Sequence, residues 1–283
     1  MLRIVTDGAA DMPLEWETSY DIHILPLYIQ FGEKSFTQGL GFTNDDFYRM
    51  VSETKMIPKT SLPSIGAIKE FYRSIAQPGD SILSIHISSK LSGTFQTVQT
   101  AASELAGEYK IFVFDSLAGS AAQGFMARAA RLLDQAGADM PEILRRLEII
   151  RQRINIIFTI NTLEYAHLSG RVNALQSLIG SAFKVKPIIV LNEGLLDIAD
   201  RVRTRQKSLE HVIQRICEKL GNRRVNIAVL HAADPQTAEE MFAAVKKLLN
   251  IQEAILADVA IPIAANLGPG AIGVVAYPVE EEF

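Results

Sequence analysis

The stretch Ser81-Ile-Leu-Ser-Ile-His86-Ile-Ser88-Ser-Lys-Leu-Ser92-Gly-Thr94-Phe-Gln-Thr-Val98 decides the fold. Its first seven residues are an apolar run of strand length. Its end opens a helical pattern in which Phe95, Val98, Ala102 and Leu105 share one face. Between the two lies a short loop rich in Ser, Gly and Thr. A buried strand handed to an amphipathic helix through such a loop is the repeating unit of α/β proteins. Outward from this unit the alternation continues, with strands expected at 2–6, 24–31, 110–114, 155–160, 187–191, 195–199, 225–231, 254–261 and 271–277. Asn192-Glu-Gly194 between two apolar runs reads as a hairpin turn. Helical faces are formed by Ile65, Ile68, Tyr72 and Ile75, by Ile143, Leu147, Ile150 and Ile154, by Leu209, Val212, Ile213, Ile216 and Leu220, and by the run from Pro235 through Met241, Val245 and Leu248. The expected architecture is two α/β domains with mixed sheets flanked by helices, 1–155 and 156–283, the final strands returning to either sheet.

The bulk composition bounds the function. A chain of 283 residues, 48% hydrophobic and 21% charged, buries a substantial core. A net charge of −4 argues against a dedicated nucleic-acid binder, which carries a basic face. The sole cysteine, Cys217, forms no intrachain disulfide, which fits a reducing cytoplasm. No apolar run reaches the roughly 18 residues of a membrane span, so stable membrane insertion is not expected.

Four segments place small hydroxyl or glycine residues just after a strand or before a helix, where unsatisfied backbone N–H groups can receive an anion. They are Thr60-Ser61-Leu62-Pro63-Ser64, Ser88 to Thr94, Asp115-Ser116-Leu-Ala-Gly119-Ser120, and Asn266-Leu-Gly268-Pro-Gly270. Each also reads as an ordinary cap or turn. A catalytic site does not assemble: Ser92 lies outside a Gly-x-Ser-x-Gly elbow, and the five histidines are scattered. No metal-ligand spacing and no nucleotide-binding glycine motif appears, so neither a metal nor a cofactor is expected. Two readings are open for His86, a satisfied core histidine or part of a polar site. Two are open for Arg171, which either reaches inward to an anion or caps a helix end. The basic run Arg201, Arg203, Arg205 and Lys207 is either a solvated face or a docking patch for an acidic partner.

Taken in order, these segments resemble the DegV family of bacterial fatty-acid-binding proteins over essentially the whole chain. The matching elements are Thr6-Asp7, Thr60-Ser61-x-Pro63-Ser64, Ser88-Ser89-x-Leu91-Ser92-Gly93-Thr94, Asp115-Ser116, Gly170-Arg171, Lys186-Pro187 followed by Gly194, and Gly268-Pro269-Gly270-Ala271. The resemblance implies a long-chain fatty acid (C14–C18, palmitate among them) enclosed between two domains. It implies a carboxylate held at Thr60 and Ser92 with Ser61, Gly93 and Thr94, and a head-group network drawing on Arg171, Asn266 and His86. It further implies a non-catalytic binding protein in lipid metabolism that in some members presents the acid to a fatty acid kinase subunit; the basic run, with Arg201, Arg203 and Arg205, offers candidate docking residues for such a partner. Burying about 14 methylenes at roughly 0.8 kcal/mol each supplies about 11 kcal/mol, and hydroxyls with backbone N–H groups can satisfy an enclosed carboxylate. Three positions depart from the family: Gly8 for serine, Leu62 for glutamine and Asn266 for histidine. The alternatives are a Ser92-dependent acyl hydrolase and a binder of a different amphiphile.

Overall fold

The computed structural model describes residues 1–39, 41–171 and 185–279, which fold as three sheets flanked by helices. Ser81–His86 is a strand and Thr94–Glu104 a helix. The strand lies between Leu2–Asp7 and Lys110–Asp115, and Ile22–Leu25 completes an all-parallel sheet of four. A parallel strand covered on both faces must be apolar on both. Accordingly Ile82 packs with Ile68, Tyr72 and Val98 of the flanking helices, while Leu83 and Ile85 join the larger core on the other side.

A second sheet of six strands begins at Asn155. Its order is Leu195–Val202, Lys186–Asn192, Asn155–Thr159, Ile272–Pro278, Arg224–His231, Asn250–Asp258. All neighbours are antiparallel except the last pair. The final strand therefore sits in the middle of this sheet. The expected hairpin is present: Glu193 and Gly194 both take positive φ, 45° and 84°, the geometry of a two-residue turn matched to strand twist. One face carries Ile157, Val229 and Val274 beneath helices Arg205–Leu220 and Pro235–Leu248. The opposite face carries Phe158, Leu230 and Val275 toward the rest of the molecule.

Three expectations are corrected. The run 24–31 is not one strand, because Pro26 lacks an N–H and ends the first piece. Ile22–Leu25 stays in the parallel sheet, whereas Tyr28–Phe31 joins a small antiparallel sheet with Lys34–Thr37 and Lys59–Ser61. The run 254–261 ends at Asp258, and Ile261 opens a short helix, Ile261–Leu267, with Pro262 in its first turn. A 15-residue helix, Ala121–Gln135, has no counterpart among the expected helices. Its first seven residues are all buried, so it shows no apolar stripe to read.

Candidate functional site

The loops after the parallel strands and the open face of the six-stranded sheet meet at a cleft of about 1030 Å³ including its mouth. This is the upper end of the range for small-molecule sites. Ala9, Leu27, Ile87, Leu91, Ser92, Gly119 and Ser120 come from those loops. Ile156, Phe158, Leu191, Leu196, Leu230 and Val275 come from the sheet face, and Pro262, Ile263, Asn266 and Leu267 from the short helix. Side-chain polarity is confined to Thr60, Ser92, Ser120, Asn266 and Arg171.

Thr60 does not stand at a helix start, as the sequence suggested. It lies in the strand Lys59–Ser61, opposite Ile29, and the cap of the following helix is Ser64, whose hydroxyl accepts from Ala67 N at 3.2 Å. The backbone pairing fixes Thr60 more firmly than a loop would. Ser92 is held from below: Thr94 N donates to its Oγ at 3.2 Å, and the Ser92 and Thr94 hydroxyls lie 2.9 Å apart. Thr94 is fully buried, so it positions Ser92 without reaching the cleft. Ser61 and Gly93 are likewise outside the cleft lining. Arg171 stands exposed at the rim, its guanidinium donating to Ser169 O. Asn266 turns its Nδ2 to Pro262 O at 2.6 Å, bracing the short helix that bears it.

His86 belongs to a sealed network. Its Nδ1 lies 2.9 Å from Asp7 Oδ2 and its Nε2 2.7 Å from Ser84 Oγ, which in turn lies 2.8 Å from the Tyr72 hydroxyl. The connectivity is that of a Ser-His-Asp triad, but Asp7, Ser84 and His86 are all 0% exposed, so no substrate reaches Ser84. Burial pushes the Asp7 carboxyl up, but the His86 hydrogen bond and charge, with the N–H groups of Ile87 and Ala9, hold it below its usual value overall. The network's effect is mechanical: Asp7 Oδ2 also accepts from Ile87 N at 3.0 Å, pinning the start of the loop that carries Ser92. Asp115 acts in the same way, accepting from Ser89 N and Leu117 N at 3.2 and 2.9 Å.

Ser120 closes the Asp115–Ser120 segment, one of the four expected to be able to receive an anion. It lines the cleft at φ 60°, and its hydroxyl donates to Asp11. Asp11 is buried and its other oxygen accepts from Ala260 N at 2.5 Å, across the whole length of the chain. Burial, with a lesser push from the Asp258 charge, raises the Asp11 carboxyl to about 7 against the pull of those two donors. A second bridge joins the halves at the hairpin, where Ser88 Oγ donates to Gly194 O at 2.8 Å and Lys90 Nζ to Glu193 O at 2.7 Å.

The departures have local partners. At Gly8 the missing side chain is replaced in space by Gln38. Its Oε1 lies 1.7 Å from where a Cβ would be, and its Nε2 donates to Gly8 O at 2.8 Å. Leu62 lies 3.5 Å from the Cβ position of Gly93, at the start of the Ser92 helix. Of the basic run, Arg205 pairs with Asp234 at 2.9 Å, and Arg201 and Arg203 are exposed.

A family model described as "Uncharacterised protein, DegV family" matches residues 1–279. A DegV domain-containing protein of Halalkalibacterium halodurans is 30% identical over 278 residues, covering 98% of both chains. Among solved structures, DegV of Bacillus subtilis, a fatty acid binding protein, superposes with a TM-score of 0.90 at 28% identity, covering 98% of this chain and 99% of that one. A stearic-acid-binding protein of Eubacterium ventriosum gives 0.90 at 25% identity, covering 98% of each. The chain belongs to the DegV family.

Proposed function

We propose that this protein is a non-catalytic carrier of one long-chain fatty acid of C14–C18 length. The carboxylate binds at Thr60 and Ser92 and the acyl chain lies on the open face of the six-stranded sheet. The observation that carries this reading is the composition of the cleft, in which Thr60 and Ser92, fixed by strand pairing and by Thr94, stand with Ser120, Asn266 and Arg171 as the polar side chains of a largely apolar wall. A bare buried charge is prohibitive, whereas hydroxyls and backbone N–H groups satisfy a carboxylate and still release it. Asn266 and Arg171 complete the head-group end, with His86 supporting the loop behind Ser92. We divide the chain into units 1–155 and 156–283, since the six-stranded sheet begins within a residue of this boundary and the final strand lies at its centre. None of the described helices is long and apolar enough to cross a membrane; the carrier we propose works in the cytoplasm.

In lipid metabolism such a carrier presents its acid to a fatty acid kinase subunit, docking through the exposed Arg201 and Arg203 with Arg205 bracing the segment. The test is native mass spectrometry of the purified protein. The expected result is one added C14–C18 acid per chain, lost on delipidation and regained on incubation with palmitate. A protein that stays empty overturns the reading. With a kinase subunit and ATP, the loaded protein is expected to yield acyl-phosphate, and the R201E/R203E variant to yield less while binding palmitate normally.

A further inference from the structure

The cleft has a blind end, and strand register locates it. On the open face of the six-stranded sheet Val275 lies opposite Ile156 and Leu191 opposite Leu196, while the Ile157–Val190 pair sets Ile156 beside Leu191. These four apolar side chains form one row across four strands, and all four line the cleft. Past this row, floor and roof come together. Two residues beyond Val275 on the same face, Tyr277 is buried, its ring centroid 5.4 Å from that of Phe125 and its hydroxyl accepting from Asn226 Nδ2 at 2.8 Å. At the other end of the row the hairpin turn meets the loops above it. A Cβ on Gly194 would lie 2.7 Å from Ser88 Oγ and 3.1 Å from Leu117 Cδ2. Ser88 and Lys90 both donate to carbonyls of that turn, so this closure is bonded as well as packed.

The head-group residues stand at the opposite end of the floor. Ala271 lines the cleft there, its N–H donating at 3.3 Å to the carbonyl of Gly268, two residues after Asn266. At about 3.3 Å per residue, Ala271 to Val275 spans about 13 Å along the strand. Three strand spacings of about 4.8 Å, from that strand to the edge strand bearing Leu196, add about 14 Å across it. The diagonal is about 20 Å, on the order of the length of an extended sixteen-carbon chain. Leu196 is half-buried, packs against the main core and ends the row, since no strand lies beyond its own. Building on the carrier reading, we propose that Leu196 is the residue that sets chain length, the terminal methyl group of the acid stopping against it. A longer acid must fold back or leave its carboxylate short of Thr60 and Ser92.

The experiment is competition for delipidated protein between equimolar hexadecanoic and eicosanoic acids, resolved by mass in native mass spectrometry. Apolar burial alone favours the longer acid, so preference for the shorter one reports a stop. One methylene too many in a closed apolar pocket costs roughly tenfold or more, and wild type is expected to favour hexadecanoic acid by at least about that factor. Leu196→Ala, with Leu196→Val as the milder variant should the first fail to fold, is expected to bring the ratio toward one. Leu196→Phe is expected to move the optimum the other way, to tetradecanoic over octadecanoic acid. Leu230→Ala makes the same truncation elsewhere on the floor and is expected to leave the ratio high; a shift as large as that of Leu196→Ala overturns the assignment. So does wild type that loads eicosanoic acid equally or better, or a ratio unmoved in folded Leu196 variants, and each of these leaves the carrier intact. Wild type that takes up neither acid overturns the carrier reading and the length stop with it.

Discussion

Replacing Asp11 with Asn tests whether the joint between the two sheets is held by a proton. Asp11 links the Ser120 hydroxyl on the cleft wall to Ala260 N, and the groups that face it are Asp258, which pairs with His231 at 3.0 Å, and the buried Tyr48 hydroxyl. Its carboxyl rises from 3.8 to about 7, chiefly through burial. A raised acid binds its proton more tightly in the folded chain than in the unfolded one. The stability this contributes is full below about pH 4 and is lost as pH climbs toward 7. Three units at about 1.4 kcal/mol each set an upper figure of about 4 kcal/mol for that loss. In a chain of this size such a loss lowers the melting temperature by on the order of 10 °C. Asp11→Asn is isosteric, keeps an acceptor for Ala260 N and never ionises. The assay is thermal unfolding of both proteins from pH 4 to pH 8.5. The difference, Asn minus Asp, is expected to grow through pH 4–7 and to level off above. Asp7, whose carboxyl is shifted the opposite way, is common to both proteins and cancels. Parallel curves across the whole range would refute the reasoning.

Other substitutions probe the remaining parts. Ser92→Ala and Thr60→Val each remove one hydrogen bond to a charged group, worth about 1.5–3 kcal/mol; palmitate affinity by calorimetry is expected to fall about 10- to 150-fold, with the melting temperature lowered only in Ser92→Ala, where the Thr94 N–H and buried hydroxyl lose their partner. His86→Ala leaves Asp7 buried and without its partner, so denaturant unfolding is expected to show a loss of about 3–5 kcal/mol. A loss below 1 kcal/mol would mean that the network is not what holds the loop. Gly194→Val places a branched side chain at φ 84° and 2.7 Å from Ser88 Oγ. Amide exchange is expected to accelerate in the hairpin and in the 88–92 loop together, and acceleration in the hairpin alone would show that the two are not latched.

Local signals made much of this fold legible. The Ser81–Thr94 stretch, the Glu193–Gly194 turn and the Ser64 cap each carry their geometry in a few adjacent residues. What escaped notice depends on packing. The first half of Ala121–Gln135 is buried on every side, and a stretch with no wet face has no period to detect. Thr60 reads as a helix start because Ser64 follows closely; only its pairing with Ile29, thirty-one residues earlier, makes it part of a strand. Thr60, Ser92, Asn266 and Arg171, singled out from residue type and position, all line the cleft. The cleft floor was not, because Phe158, Leu191, Leu230 and Val275 are alternate residues of four different strands, and nothing local distinguishes the face they share from the face buried under helices. Ser120 shows the same limit: its segment was visible, but its partner Asp11, which also holds Ala260 N, comes from the far end of the chain.

Affinity and direction come from opposite ends of the cleft. About 11 kcal/mol from some 14 methylenes is non-directional, and a bilayer offers a free acid much the same energy. An apolar wall alone therefore cannot draw an acid out of a membrane; the advantage must come from the head-group end. A buried arginine there would clamp the carboxylate in two parallel bonds and slow its release. Arg171 is instead at the rim, so in the proposed carrier the anchoring would fall to Thr60 and Ser92, neutral donors whose value depends on being held still. Their support is the parallel sheet and the small antiparallel sheet, whereas the acyl floor is the six-stranded sheet. The Ser88–Gly194 and Asp11–Ala260 contacts join the two sides. Whatever parts them loosens head and tail sites at once, so opening of the joint and release of the acid are one equilibrium. By mass action, a bound acid then stabilises the joint as surely as the joint stabilises the bound acid.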